Sequence, residues 1–268
     1  VGGGPYHGAP ILAGLAAERS GCDLIHLAMP SDAVERVEWP LSLIPESLQD
    51  TTHLTSLSVS PILDRVLTGR GCQAVLIGPG LGREGPSIDA VCEIIDKLVE
   101  ANIPLIIDAD AIRALPSHAW PIGMVGVVTP HADEMAHWLG ASDPAEILQI
   151  RARRDGISRV VEDESCVIVR TGVEDVLWAP GGRHCFAIGG HARMSVGGTG
   201  DLLSGCIAGL IAQGMSPWAA SRLGCALLRA AGASAALEYG PGLSASDVPS
   251  HIARTLAQWT GQDADRDA

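Results

Sequence analysis

The chain has 268 residues, 47% of them hydrophobic and 18% charged, enough for one large globular domain or two small ones with a real core. Its 18 basic and 31 acidic residues leave a formal charge of −13, which argues against a general nucleic-acid or anionic-membrane binder. Lys97 is the only lysine, so a catalytic lysine elsewhere and a Walker-type phosphate loop are both excluded.

Cysteines 22, 72, 92, 166, 185, 206 and 225 show no Cys-x-x-Cys spacing. They read as small buried hydrophobes of a reducing compartment, not as disulfides or zinc ligands. With no signal peptide and no apolar run long enough to span a bilayer, a cytoplasmic protein without membrane or nucleic-acid partners is expected. No fixed-period repeat or low-complexity linker appears, so a single domain over 1–268 is expected; the chain opens at Val1 without a methionine, and its opening strand is expected to have lost its beginning.

Val1 to Pro5 reads as a strand exit entering a glycine loop, and Gly8 to Arg19 as a helix with Pro10 in its first turn. Asp23 to Met29 is a short apolar strand; residues 31–70 carry no clear pattern beyond a helix over Pro61 to Leu67. Gln73 to Gly78 is a buried strand ending in Gly78-Pro-Gly-Leu-Gly82, with a helix from Pro86 to Glu100. Ile103 to Ile107 is the next strand, ending in Asp108-Ala-Asp110. Val125 to Val128 runs into Thr129-Pro-His-Ala-Asp-Glu134, where Thr129 is expected to cap and Pro130 to open the helix. Arg151 to Arg159 reads as a helix end and link. Cys166 to Arg170, Asp175 to Trp178 and Arg183 to Ile188 read as a strand and an extended hairpin. Two alanine-rich helices close the pattern, about Leu202 to Gln213 and Pro217 to Glu238, with small faces suited to subunit packing. Repeated strand-loop-helix units predict an α/β fold: a mostly parallel central sheet with helices on both faces.

The chemistry gathers in the loops after strands, where open α/β sheets bind ligands. Gly189 to Gly214 joins a glycine-rich loop to a helix whose positive end attracts anions. Asp201 sits on that junction. A carboxylate there handles a proton or a metal, or else merely caps the helix. The glycines of Gly2 to Gly8 and Gly78 to Gly82 either approach a ligand or simply turn the chain. His131 either donates to a substrate or assists a cap. Asp108 and Asp110 either hold a hydrated magnesium near phosphates or cap the next helix. Arg170 either reaches a phosphate or makes a structural salt bridge. His184, Cys185 and His191 lack metal-ligand spacing, so no protein-bound metal is assigned. Trp120, Trp138, Trp178 and Trp218 read as gap fillers.

Gly8-Ala-Pro-Ile-Leu-Ala13, Gly78-Pro-Gly-Leu-Gly82, Ile107-Asp-Ala-Asp-Ala111, Thr129-Pro-His131 and Met194-Ser-Val-Gly-Gly-Thr-Gly-Asp-Leu-Leu-Ser-Gly205 resemble the ADP/ATP-dependent NAD(P)H-hydrate dehydratases of the ribokinase-like superfamily. The resemblance covers nearly the whole chain. It implies a lyase that restores NADH or NADPH from the S epimer of NADHX or NADPHX, using ADP or ATP as phosphoryl donor with Mg2+ on the nucleotide. It implies that Ala9, Gly80, Gly82, His131 and Asp201 contact the hydrate, with Asp201 catalytic. Arg170, Thr171, Gly172, Val173 and Glu174, with Gly197, Gly198, Thr199 and Gly200, would hold the nucleotide. The chain departs from the family pattern at Arg170-Thr171-Gly172, where lysine-glycine is usual, and at His191-Ala-Arg-Met-Ser195, where Asn-Pro-Gly-Met-Ala is typical. Many relatives carry an N-terminal epimerase domain, and a homo-oligomer, up to a tetramer, is expected. The alternatives are another ribokinase-like kinase, acting on hydroxyethylthiazole or a sugar, and a non-catalytic nucleotide-binding regulator.

Overall fold

A computed structural model describes residues 1–69, 71–154 and 164–261. In chain order the elements are α1 (Gly8–Arg19), β1 (Ile25–Met29), α2 (Ser31–Glu35), β2 (Leu43–Ser47), α3 (Val59–Leu67), β3 (Val75–Ile77), α4 (Gly85–Glu100), β4 (Leu105–Ile107), β5 (Gly126–Val128), α5 (Ala132–Leu139), α6 (Pro144–Arg154), β6 (Cys166–Arg170), β7 (Asp175–Ala179), β8 (Arg183–Ala187), α7 (Thr199–Ala212), α8 (Pro217–Tyr239) and α9 (Val248–Trp259).

Strands β3 to β6 pair in parallel, and β7 and β8 continue the sheet antiparallel. β1 and β2 form a separate parallel pair. The opening residues bridge the two: Gly2 N–H donates to Ala28 O at 3.2 Å, and Gly78 N–H donates to Val1 O at 3.1 Å. The expected opening strand is thus present as a connecting segment and not as a regular strand.

The period of two along a strand sends alternate side chains to opposite faces. Leu105, Ile107, Val128 and Ile168 pack into a core with α3, α4 and α5. Ile106, Val127, Val167 and Val169 pack into a second core with α7, α8 and α9. Helices therefore cover both faces, as the apolar strands require. Trp120 and Trp138 fill the first core with ring centroids 6.3 Å apart, and Trp218 belongs to the second.

Helix α7 sits unusually close to α1. A Cβ on Gly205 would overlap the Ala13 carbonyl, and one on Gly209 would meet Ser20 Oγ and Ala17. Gln213 Nε2 donates to Ser20 O at 3.0 Å and fastens the far end. On α8, Gly224 faces Ile207 and Gly232 faces Met194. Gly205, Gly209, Gly224 and Gly232, among the small residues read as suited to subunit packing, are used inside the chain, where they let these helices approach.

Two further readings need correction, at the starts of α7 and α5. α7 starts at Thr199, three residues ahead of the apolar run, because left-handed Gly198 takes the cap position and Thr199, Gly200 and Asp201 form the first turn. Thr129 does not cap α5 and Pro130 lies outside it; His131 is the cap, since its ring reaches the free N–H groups while the threonine hydroxyl is drawn to Asp108. β2 lies in the stretch read without a clear pattern and pairs with β1, and α9, for which the sequence predicts no element, packs on α8. Of the Arg151 to Arg159 link, the part beyond Arg154 lies outside the described residues. No helix among the described residues is long and apolar enough to cross a membrane.

Gly205→Ala should cost about 1–3 kcal/mol, because the new methyl meets backbone that cannot rotate away. Gly242→Ala, where a Cβ faces open space, should leave stability within about 0.5 kcal/mol. Denaturant unfolding of both variants checks the contrast.

Candidate active site

The loops after β3, β4, β5 and β6 and the start of α7 meet at one end of the sheet. Gly78, at φ +132°, lets the Asp108 carbonyl approach where a side chain would block it. Gly80, at φ +67°, does the same for the Tyr6 carbonyl and brings the loop against Ala9, 3.3 Å from a Cβ position on Gly80. Gly82 N–H donates to Asp110 Oδ2 at 3.2 Å, and Arg83 Nε donates to Asp110 Oδ1 at 2.9 Å. Asp110 therefore pins the second glycine loop and does not cap the next helix.

Asp108 points the other way. It is 5% exposed and accepts a hydrogen bond from Thr129 Oγ1 at 2.7 Å. Burial, the largest cause, and the neighbouring Glu134 raise its pKa to about 6, against the hydrogen bonds from Thr129 and Ser204. It makes no side-chain cap either. Among the described residues no group of three or more His, Cys, Asp and Glu is placed to hold a metal ion, so a protein-built magnesium cage does not fit here.

His131 forms a capping box with Glu134. Its Nδ1 accepts from Asp133 N–H at 3.1 Å and Glu134 N–H at 3.3 Å, while Glu134 Oε2 accepts from His131 N–H at 2.9 Å. The ring proton is thereby assigned to Nε2, which faces Glu134 Oε1 at 3.2 Å. Capping is thus its role in this structure, with the ring half exposed toward the loops.

Asp201 lies in the first turn of α7. The cap position belongs to Gly198, at φ +98° with no side-chain cap, so Asp201 is not the cap. A Cβ on Gly198 would stand 2.6 Å from Leu12 Cδ1 and 2.9 Å from Ala245 Cβ, whereas Gly197 and Gly200 face open space. Thr199 Oγ1 donates back to Met194 O at 2.9 Å and Val196 O at 3.1 Å, strapping the loop to the helix. The first-turn N–H groups are left to point outward, the arrangement that receives an anion. Desolvation, then the charges of Asp108 and Glu134, push the Asp201 pKa up to about 7. Such a carboxylate is a base matched to neutral pH.

The turn from Arg170 to Glu174 is held from behind by a residue that sequence reasoning missed. Arg229 of α8 pairs with Asp175 at 2.8 Å through Nε and donates to Gly172 O, Val173 O and Gly189 O at 2.8–2.9 Å. Gly172 N–H donates to Asp175 Oδ1 at 3.1 Å, and Thr171 N–H to Pro130 O at 2.9 Å. Arg229 thus ties the turn to the entrance of the glycine loop, which no local motif signals. Arg170 has no ion pair among the described residues, so the expected structural salt bridge is not formed and its charge remains at the loop.

The family described as NAD(P)H-hydrate dehydratase matches residues 1–254. The chain is 32% identical to the ADP-dependent (S)-NAD(P)H-hydrate dehydratase of Cenarchaeum symbiosum over 91% of its own length and 82% of the relative's. It spans about half the length of other curated relatives, 45–47% of three bifunctional NAD(P)H-hydrate repair enzymes. Among solved structures, an ADP/ATP-dependent NAD(P)H-hydrate dehydratase from Bacillus subtilis, co-crystallised with ATP/Mg2+ and soaked with CoA, superposes with a TM-score of 0.73. That match has 24% identity over 96% of this chain and 89% of the other. A ribokinase-like superfamily protein from Enterococcus faecalis superposes at 0.65, with 22% identity over 96% of this chain and 83% of the other. The fold is ribokinase-like, and the chain belongs to the NAD(P)H-hydrate dehydratase family.

Proposed function

We propose that this chain dehydrates the S epimer of hydrated NADH or NADPH at the expense of ADP or ATP. The observation that carries this reading is a carboxylate of raised pKa standing beside an uncapped helix N-terminus. A hydroxyl is a poor leaving group. Asp201 takes its proton as the oxygen attacks the terminal phosphoryl of the nucleotide, whose bond to the bridging oxygen breaks. Charge on the transferring group meets the backbone N–H groups of Gly197 to Gly200 and the helix dipole. The resulting phosphate ester then leaves from carbon as inorganic phosphate, pushed by the lone pair of the ring nitrogen, and loss of a proton from the adjacent carbon restores the ring double bond.

In this reading Ala9, Gly80 and Gly82 form the wall against which the hydrate ring lies, and His131 meets it by releasing Glu134 from Nε2. The nucleotide runs from Gly197, Gly198, Thr199 and Gly200 to the turn of Arg170, Thr171, Gly172, Val173 and Glu174. Arg170 supplies the charge there. Magnesium would travel on the nucleotide phosphates and neutralise them.

Incubation with S-hydrated NADH and either nucleotide should restore the absorbance of the reduced ring. A stable phosphorylated product instead would identify a kinase, and no reaction with either nucleotide would overturn the proposal. Asp201→Asn should lower turnover by about 10²–10⁴-fold with the fold retained; unchanged turnover would remove Asp201 from the chemistry. Since the base is competent only when ionised, kcat should fall as pH drops through about 7. The linkage runs the opposite way: a carboxyl whose folded pKa is raised binds more protons folded than unfolded, so its contribution to stability declines as pH rises from 4 to about 7. Asp201→Asn should therefore unfold at a higher temperature than the parent at pH 8, and equal midpoints would contradict this. Arg229→Met strands the buried Asp175 and should cost about 3–5 kcal/mol, with nucleotide affinity falling alongside, as urea unfolding and calorimetric titration would read.

A further inference from the structure

Asp108 is a buried acidic side chain at the site, 5% exposed, that the proposed chemistry does not use and that, unlike Asp175, has no arginine partner among the described residues. It ends β4 with a backbone fixed on two sides: its N–H donates to Ile77 O at 3.0 Å, and Gly78 receives its carbonyl. Its carboxyl is fixed too, by Thr129 Oγ1 at 2.7 Å from the end of β5. From α7, Ser204 lies within hydrogen-bond reach, but that hydroxyl also donates to Asp201 O at 3.1 Å, and one proton serves one acceptor at a time. The Ala109 N–H adds a backbone donor, and the charges that bear on the group are Glu134 of α5 and Asp201 of α7. No arginine, lysine or histidine among the described residues pairs with it.

A carboxyl so placed has hydroxyl donors and other carboxylates for company, and no cation. Its contact with Ser204 places it against α7 three residues along from Asp201, and at 5% exposure it lies out of water, where charges act on each other with little screening. We propose that Asp108 is a positioning residue for the proton step, acting through its negative charge to make Asp201 a stronger base. The proton of the hydrate hydroxyl still passes to Asp201, and Asp108 makes no bond to substrate. Thr129 controls the effect: its hydroxyl favours the ionised form of Asp108 and so keeps the charge in place. The two carboxyls then titrate as a coupled pair, with Asp108 ionising first. The consequence for catalysis rests on the dehydratase reading above, whereas the coupling itself does not.

The test titrates Asp201 by carbon NMR of labelled carboxyls in the ligand-free chain, and measures kcat and KM for dehydration against pH. It uses the unaltered protein, Asp108→Asn and Thr129→Val. Asp108→Asn keeps an acceptor for Thr129 and removes the charge. The Asp201 midpoint should fall by about one pH unit, the acid limb of kcat should move down with it, and the plateau should drop roughly threefold as the base weakens. KM for the nucleotide should stay within about twofold, because the change lies in the proton step. Thr129→Val keeps the carboxyl but leaves it neutral to higher pH, so the midpoint should shift the same way by less, which preserves the test if Asp108→Asn folds poorly. An Asp201 midpoint unmoved in both variants, or activity lost with the acid limb in place, would overturn the proposal. A shifted midpoint in a protein that dehydrates nothing would uphold the coupling and overturn the dehydratase reading.

Discussion

A carboxylate withdrawn from water and facing two others without a cation is costly to ionise, and Asp201 lives under that constraint. Its surroundings are built by features that have no chemistry of their own. The backbone approach at Gly78 fixes Asp108, the capping box fixes Glu134, and the close packing of α7 on α1 through Gly205 fixes the helix that carries Asp201. These positions hold three acidic groups within electrostatic reach of one another. Burial first, and this repulsion second, raise the Asp201 pKa, which weakens the fold at alkaline pH and suits the carboxylate to the base role proposed for it at neutral pH.

The second requirement is an anion site beside that base. Capping by a side chain would fill the helix N-terminus, and here Gly198 occupies the cap with no side chain to offer. Gly197 and Gly200 leave the approach open, while Leu12 and Ala245 press on Gly198 and hold the loop's shape. Arg229 supplies the corresponding rigidity to the turn after β6, from a helix far away in sequence. Base and anion site thus rest on backbone geometry rather than on mobile side chains, as transition-state stabilisation requires.

Much of this was legible in the sequence where local pattern decides structure. The apolar runs announced β3 to β6, those of β3 and β4 ending in glycine and aspartate, and Gly8 with Pro10 announced α1 at its observed start. Two classes of feature were not legible. Cap identity at α5 turned on which side chain could reach the N–H groups, and Thr129 was drawn instead to Asp108, a contact between neighbouring strands. The Arg229 clamp and the Asp108–Ser204 contact join residues distant along the chain, so no spacing records them. β2 carried weak periodicity and owes its place to β1, with which it pairs. Conversely, the small faces of α7 and α8 suggested subunit packing, yet the structure uses them to bring its own helices together.

The relation to the NAD(P)H-hydrate dehydratases shows the fold and family. In the proposed reaction a nucleotide is consumed in what is formally a loss of water because the hydroxyl first becomes a phosphate ester, with Asp201 as the base of that step. The most direct measurement is the fate of the hydroxyl oxygen. Hydrate labelled with oxygen-18 at that hydroxyl, turned over with unlabelled nucleotide, should deliver its label to inorganic phosphate, as mass spectrometry would read. Label recovered in water would mean that the carbon–oxygen bond breaks without phosphorylation, and would contradict the role given to Asp201.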